Sequence, residues 1–294
     1  MNRVEIFENG RTASIPASWG EMSPRQVCKT FRLYDHCVKN GRSPLEFSVR
    51  ILYMLLGIRI SSFKGLFHGI LRRKSPDHRP ENVYRLCERT VGYIFSPETA
   101  TLAFDSISNP LPTIRSGLRR LYGPGELLQD LTFGEFRHAS VAINKFYSSK
   151  DVSDLDEAIA FLYRVKGKRA NRAGRKVAEI DSRNASKHIQ RAKRLPPWKK
   201  NLIMMWFAAC LNYLQNGIVE LDGESVDLSL LFSKSEGKTS GVTFGWNDLL
   251  IELAKENTLG NIDRVDEEPF FSVLSIMWHN YKDRKRDEQI TKAP

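Results

Sequence analysis

Signals that start an α-helix recur along this sequence, and they constrain its fold more than any other feature. Ser23-Pro24 and Ser43-Pro44 each place a favoured N-cap residue before a proline at the first helical position. Thr132 and Glu135 have the spacing of a capping box, in which each side chain bonds the other residue's backbone amide. Apolar residues at helical spacing follow these starts, so the sequence predicts a mainly α fold, a multi-helix bundle.

The N-terminal residues are the exception to this helical pattern. Residues 4–7 and 12–15 are short β-prone runs, and Asn9-Gly10 lies between them. Asn-Gly readily adopts the positive φ angles of a tight turn. The sequence therefore predicts a short N-terminal β-hairpin ahead of the helices.

A shift in composition divides the chain. Arginine and lysine dominate residues 164–194, Gly167 and Gly174 interrupt that stretch, and Leu195-Pro196-Pro197 closes it. The predicted organisation is an N-terminal β-hairpin plus helical domain over residues 1–163 and a C-terminal helical domain over residues 195–294. Residues 164–194 are interpreted as a basic connector between them, with partial disorder left open.

The net charge of +11 bears on partners rather than on fold. Nucleic acid, an acidic protein, an anionic membrane surface and plain solubility are all compatible with it.

The cysteines are spread along the chain without a CxxC pair, which is typical of reduced thiols in a cytoplasmic protein: Cys28, Cys37, Cys87 and Cys210. The most apolar run, residues 202–211, is shorter than the roughly 20 residues of a membrane helix. We therefore expect no membrane partner.

Sequence motifs of catalytic and metal sites are missing. There is no phosphate-binding glycine loop, no G-x-S-x-G and no H-E-x-x-H. No two histidines stand three or four positions apart, so none share a helix face as paired ligands. Paired acids such as Asp154 and Asp156 stand at helix starts, where capping accounts for them. The sequence predicts a protein that is not an enzyme and uses no cofactor or metal.

Two groups of residues are candidates for partner binding. The first is a set of cations from the basic stretch: Lys166, Lys168, Arg169, Arg172, Arg175, Lys176, Arg191 and Arg194. A solvated connector is the favoured interpretation of this stretch, and an acidic protein or nucleic-acid phosphates are the alternatives that such charges suit. The second is an apolar run in a predicted helix: Met204, Met205, Trp206 and Phe207. Core packing is the favoured interpretation of this run, and an adaptable groove for an amphipathic helix is the alternative.

Several segments together resemble one class of phage proteins. Ile15-Pro16-Ala17-Ser18-Trp19, followed by Met22-Ser23-Pro24, resembles the opening of proteins of this class. Further segments of the resemblance are residues 131–136, 155–164, 195–197, 206–210, 245–253 and 259–262. Together they resemble tail assembly chaperones, or tail-morphogenesis proteins, from phages and prophages of Bacteroides-type bacteria. The heavy basic stretch after Tyr163 departs from that class.

The resemblance implies a function without catalysis. A tape-measure protein is long, helical and rich in apolar faces until the tail tube encloses it, and alone it is expected to aggregate. A chaperone would bind and solubilise it in the host-cell cytoplasm. Two alternatives stay open. In the first, the chain is a structural component of the phage particle, in its tail or connector, and is located in the virion. In the second, the chain binds nucleic acid through residues 164–194.

Overall fold

The computed structural model describes residues 2–6, 11–57, 80–96, 101–181, 183–231 and 262–292. Within these ranges the fold is mainly α-helical, as the sequence predicts. The chain forms two compact units: unit 1 comprises Met1–Ser106 and Pro197–Leu202, and unit 2 comprises Ile107–Pro196 and Ile203–Pro294. Each unit has its own buried aromatic core.

The first two helices of unit 1 begin directly after the N-cap residues that the sequence predicts. The described α-helices of this unit are α1 (Pro24–Lys39), α2 (Pro44–Leu55) and α3 (Pro80–Val91). The Ser43 hydroxyl accepts a hydrogen bond from the Glu46 amide at 3.2 Å. Ser23 forms a complete capping box with Gln26. Both N-caps are therefore confirmed, since each supplies an acceptor for an amide without a helical partner.

Aromatic rings fill the core of unit 1. The ring of Trp19 lies 5.9 Å from that of Phe31 and 5.0 Å from that of Phe104. Strand β1 (Asn2–Ile6) pairs antiparallel with β2 (Arg11–Ile15). The turn predicted at Asn9-Gly10 lies outside the described residues and stays a prediction.

Unit 2 combines helices with two short hairpins. Strand β3 (Thr113–Ser116) pairs antiparallel with β4 (Arg119–Tyr122), and β5 (Ile218–Leu221) pairs antiparallel with β6 (Glu224–Asp227). The helices are α4 (Phe133–Ser149), α5 (Val152–Leu162), α6 (Ala185–Lys193), α7 (Pro197–Asn216, which begins in unit 1), α8 (Ile262–Glu267) and α9 (Phe270–Lys292). Of the described helices, none has both the length and the apolar character needed to cross a membrane.

The start of α4 joins the capping box to the core of unit 2. The Glu135 amide donates to the Thr132 hydroxyl at 3.3 Å, and the Thr132 amide donates to the Glu135 carboxylate at 3.3 Å, so the predicted box is confirmed. One turn further on, the ring of Phe136 stacks on that of Phe270 at 3.9 Å. It also lies 5.9 Å from the ring of Phe207. The cap thus fixes a helix whose next residue fills the core.

The structure divides the chain differently from the composition. Residues 164–194 are part of unit 2, together with residues 107–163 and 203–294, and do not form a connector between two helical domains. The physical reason is that two arginines of this stretch, Arg164 and Arg175, are buried and bonded within unit 2. The segments around 245–253 and 259–261 that contribute to the family resemblance lie outside the described residues.

Candidate functional site

The first half of the basic stretch is a loop that folds back on itself, and residues 165–178 are called the basic loop below. Lys166 and Val177 form an antiparallel bridge, and the Ala178 amide donates to the Val165 carbonyl at 2.8 Å. At the tip, the Asn171 side chain accepts from the Arg175 amide at 2.8 Å. Such local side-chain bonds hold a turn without a helix or a sheet. The loop therefore has a defined backbone.

A buried cluster of three charged side chains anchors this loop. The Glu135 carboxylate accepts from the Arg164 guanidinium and lies 3.5 Å from Nη1 of Arg175. Nη2 of Arg175 also donates to the Tyr122 carbonyl at 2.7 Å and to the Leu162 carbonyl. Burial lowers the pKa of Arg164 to about 9 and that of Arg175 to about 10, which leaves both charged at neutral pH. The cluster holds two cations against one anion in the interior.

The predicted cations of the basic stretch separate into two kinds. Arg175 is buried and cannot reach a partner. Arg172 is exposed but pairs with Glu268 and, at 3.6 Å, with Glu267. The remaining cations of the basic loop are exposed and have no ion-pair partner among the described residues: Lys166, Lys168, Arg169 and Lys176. Arg191 is half-buried and Arg194 is exposed at the end of α6.

The predicted apolar binding run on α7 belongs largely to the core. Trp206 and Phe207 are 0% exposed, which agrees with core packing and corrects the groove hypothesis for these two partner-binding candidates. Nε1 of Trp206 donates to the Ile107 carbonyl at 3.0 Å, and Phe207 packs beside Phe136. Met204 and Met205 are half-buried. The physical reason is that burying two large aromatic rings in the core stabilises the fold, whereas leaving them exposed to solvent does not.

A cleft of about 460 Å³ opens beside the cluster. Its surface is about equally polar and apolar, and its lining residues include charges of both signs: Thr132, Gly134, Glu135, His138, Phe161, Arg164, Ala170, Asn171, Arg172, Glu179, Ile180, Asp266 and Glu267. The imidazole of His138 stacks on the ring of Phe161 at 4.7 Å. Burial, and next the neighbouring Arg137 guanidinium, lower the pKa of His138. Arg137 itself bonds Asp266 at 2.6 Å. In the part of the chain that the structure describes, no cluster of His, Cys, Asp and Glu could hold a metal ion.

Three exposed arginines outside the predicted set lie on the β3–β4 hairpin: Arg115, Arg119 and Arg120. Sequence reasoning missed them because they stand apart from the long basic stretch. The signal was present in the run Arg115-Ser116-Gly117-Leu118-Arg119-Arg120, where a glycine lies between basic residues. Gly117 has φ +56°, which suits the first position of a two-residue hairpin turn.

Comparisons with protein-family profiles, with curated proteins and with solved structures found no match to this chain.

Proposed function

We propose that this chain is a non-enzymatic binding protein of the phage tail assembly chaperone type. Its partner would be the tape-measure protein, which it would bind and solubilise while the tail assembles. The observation that carries the proposal is the basic loop, which presents four exposed cations on an ordered backbone: Lys166, Lys168, Arg169 and Lys176. An ordered loop loses less conformational entropy on binding than a disordered connector would.

The chemistry of this loop favours an acidic stretch of the partner. Exposed ion pairs are individually weak, contributing roughly 0.2–1 kcal/mol each, so several are needed for measurable binding. Weak, reversible contacts suit a chaperone because it must leave when tube subunits polymerise around the tape measure. The polar residues that line the adjacent cleft offer hydrogen-bond partners of both kinds to side chains that enter with the acidic stretch. Trp206 and Phe207 have no part in this proposal.

Co-expression with the tape-measure protein tests the proposal. The wild-type chain should raise the soluble fraction of that protein and co-purify with it. Replacing Lys166, Lys168 and Arg169 by alanine should weaken recovery several-fold, because three of the four exposed cations are lost. The matched control replaces Arg25, Arg85 and Arg89 by alanine, which removes the same charge from exposed positions of unit 1.

Two results would contradict the proposal. The tape-measure protein could stay equally insoluble with the wild-type chain, or the two triple variants could recover it equally well. Mass spectrometry of purified particles gives an independent check, because a chaperone is expected to be absent from the finished virion. Its presence in stoichiometric amounts would favour a structural role instead.

A further inference from the structure

The β3–β4 hairpin has one apolar face and one arginine face. Ile114 stands directly opposite Leu121, and both are buried. Arg115 stands directly opposite Arg120, and both are exposed. Directly opposed residues of an antiparallel pair have Cβ atoms only about 4.5–5.5 Å apart, and like charges there are destabilising. The hairpin therefore keeps two cations close together at a cost to its own stability.

The end of helix α6 lies against the other face of the hairpin, close to its turn, and adds two more arginines there. The Ser116 hydroxyl donates to the Arg191 carbonyl at 2.6 Å. A side chain at Gly117 would come within 3.8 Å of Nη1 of Arg194. Arg115 and Arg120 share one face, and the other three arginines lie on the opposite face or near the turn. All five together are called the hairpin surface below: Arg115, Arg119, Arg120, Arg191 and Arg194. It lies within unit 2.

No acidic side chain balances the hairpin surface from its own elements. Residues 113–122 and 185–194 contain no Asp or Glu. The carboxylate of Asp151 feels the charge of Lys193 next to this surface, but it is bonded to the Ser153 amide at 2.9 Å as the cap of α5. Among the described residues, none of the five arginines has an ion-pair partner. The surface is thus open to an external anion.

The hairpin is held in place at its base. The Tyr122 amide donates to the Arg164 carbonyl at 2.7 Å, and the Tyr122 carbonyl accepts from Arg175 at 2.7 Å. Both arginines belong to the buried cluster with Glu135. Because that cluster fixes the strand, the arginine face keeps its position when no partner is bound. A fixed set of guanidinium groups suits a partner whose negative charges are also regularly placed.

We propose that the hairpin surface binds the phosphate backbone of double-stranded nucleic acid without sequence preference. A two-stranded ribbon fits the major groove of B-form DNA, and guanidinium groups bond phosphate oxygens in pairs. Unpaired bases would need exposed aromatic rings to stack on, and the one aromatic residue of the hairpin, Tyr122, is half-buried. An acidic protein would need buried apolar anchors at its interface, and the hairpin offers only the exposed Leu118. This activity is separate from the function proposed above.

Fluorescence anisotropy with a labelled DNA duplex of about 20 base pairs tests the inference over a range of salt concentrations. The wild-type chain should bind, with log Kd rising linearly with the logarithm of salt concentration. Arg115→Ala with Arg120→Ala should weaken binding roughly tenfold at low salt and reduce that slope by about two. The matched control, Arg85→Ala with Arg89→Ala, removes the same charge from exposed positions of α3 and should change Kd less than about twofold.

Two further arms keep the outcomes distinct. Arg115→Lys with Arg120→Lys keeps the charge and should retain most of the binding, so loss of fold is separable from loss of cations. The alanine variant of Lys166, Lys168 and Arg169 should bind the duplex as the wild type does. Equal Kd values for the hairpin and control variants would overturn the inference. Tighter, hairpin-dependent binding of a polyglutamate peptide would also overturn it and assign the surface to an acidic protein.

Discussion

At the scale of single residues, Glu135 joins more parts of unit 2 than any sequence motif indicates. Its carboxylate accepts from the Thr132 amide at 3.3 Å and from the Asn171 side chain at 3.1 Å. It also pairs with Arg164 and Arg175, so one carboxylate faces two buried guanidinium groups. Removing one partner of a buried ion pair costs far more than removing a surface pair, because the charge that remains is uncompensated. Here two buried guanidinium groups would remain, and the only other ion pair of Arg175 among the described residues is a 4.0 Å contact with the partly exposed Asp130.

Replacing Glu135 by glutamine isolates that electrostatic contribution. Glutamine can still close the capping box with Thr132 and has almost the same shape, so mainly the charge is lost. We expect the free energy of unfolding to fall by about 3–5 kcal/mol, measured by urea denaturation. The control is Asp266→Asn, which removes a partly exposed partner of Arg137 and should cost about 1 kcal/mol. A loss from Glu135→Gln no larger than that of the control would refute the anchoring role of the cluster.

At the scale of helices and loops, the features that were predictable from sequence are those that depend on neighbouring residues. The caps at Ser23, Ser43 and Thr132 each use groups within three positions, so the sequence contains the whole interaction. Arg175 and Lys176 show the opposite case. They are adjacent and alike in sequence, yet Arg175 is buried and Lys176 is exposed. The difference arises from contacts with Glu135, Tyr122 and Leu162, which are distant along the chain.

The β3–β4 hairpin was missed, and the role of the apolar run on α7 was left open, for the same reason. A serine-glycine-leucine turn is a weaker hairpin signal than Asn-Gly, and Ile114 finds Leu121 only once the strands pair. The sequence alone does not decide whether Trp206 is a core residue or an exposed anchor. The structure decides it, because the indole of Trp206 donates to the Ile107 carbonyl. Tertiary contacts decide between these alternatives, and they are not encoded at a fixed spacing. The position of the candidate site therefore depended on the structure more than the helices did.

Gly167 allows the basic loop to close, and its replacement tests the loop as an element. A Cβ at Gly167 would lie 2.2 Å from the carbonyl oxygen of Val177, a backbone atom that cannot easily move. Gly167→Ala should therefore destabilise unit 2 by about 1–3 kcal/mol and speed tryptic cleavage within the loop. The control is Gly92→Ala, where nothing lies within 4 Å of the new Cβ and stability should be unchanged or slightly higher. Unchanged stability and unchanged proteolysis of Gly167→Ala would contradict the role of Gly167 in closing the loop.

At the scale of the whole molecule, the structure shows where some of the cations behind the net charge of +11 lie. Among the described residues, two groups of exposed cations lie in unit 2, on the basic loop and on the hairpin surface. A field of this sign steers an anionic partner towards both surfaces and weakens beyond a screening length of about 10 Å at 0.1 M salt. The composition thus indicates the sign of the partner, while only the fold separates two places where an anion could bind. Binding at either place is expected to be salt-sensitive.

The acid stability of the protein should depend on a histidine beneath the hairpin surface. His188 on α6 is 4% exposed, and its Nδ1 atom has no hydrogen-bond partner among the described residues. Burial, and next the positive charges of Arg191 and Arg164, lower its pKa to about 4, although Asp181 acts in the opposite direction. The unfolded chain takes up this proton near pH 6.5, so below that pH the unfolded state binds more protons than the folded state. Stability is therefore expected to fall as the pH drops from about 6.5 to about 4.

His188→Gln removes the titrating group and should flatten that pH dependence. Between about pH 7.5 and pH 5, the variant should lose roughly 1–2 kcal/mol less free energy of unfolding than the wild type does. Urea denaturation at both pH values measures the difference. His36→Gln, at an exposed position of α1, should follow the wild-type profile. Parallel profiles for His188→Gln and the wild type would assign the acid sensitivity to other groups. Only a group whose pKa differs between the folded and unfolded states makes stability depend on pH.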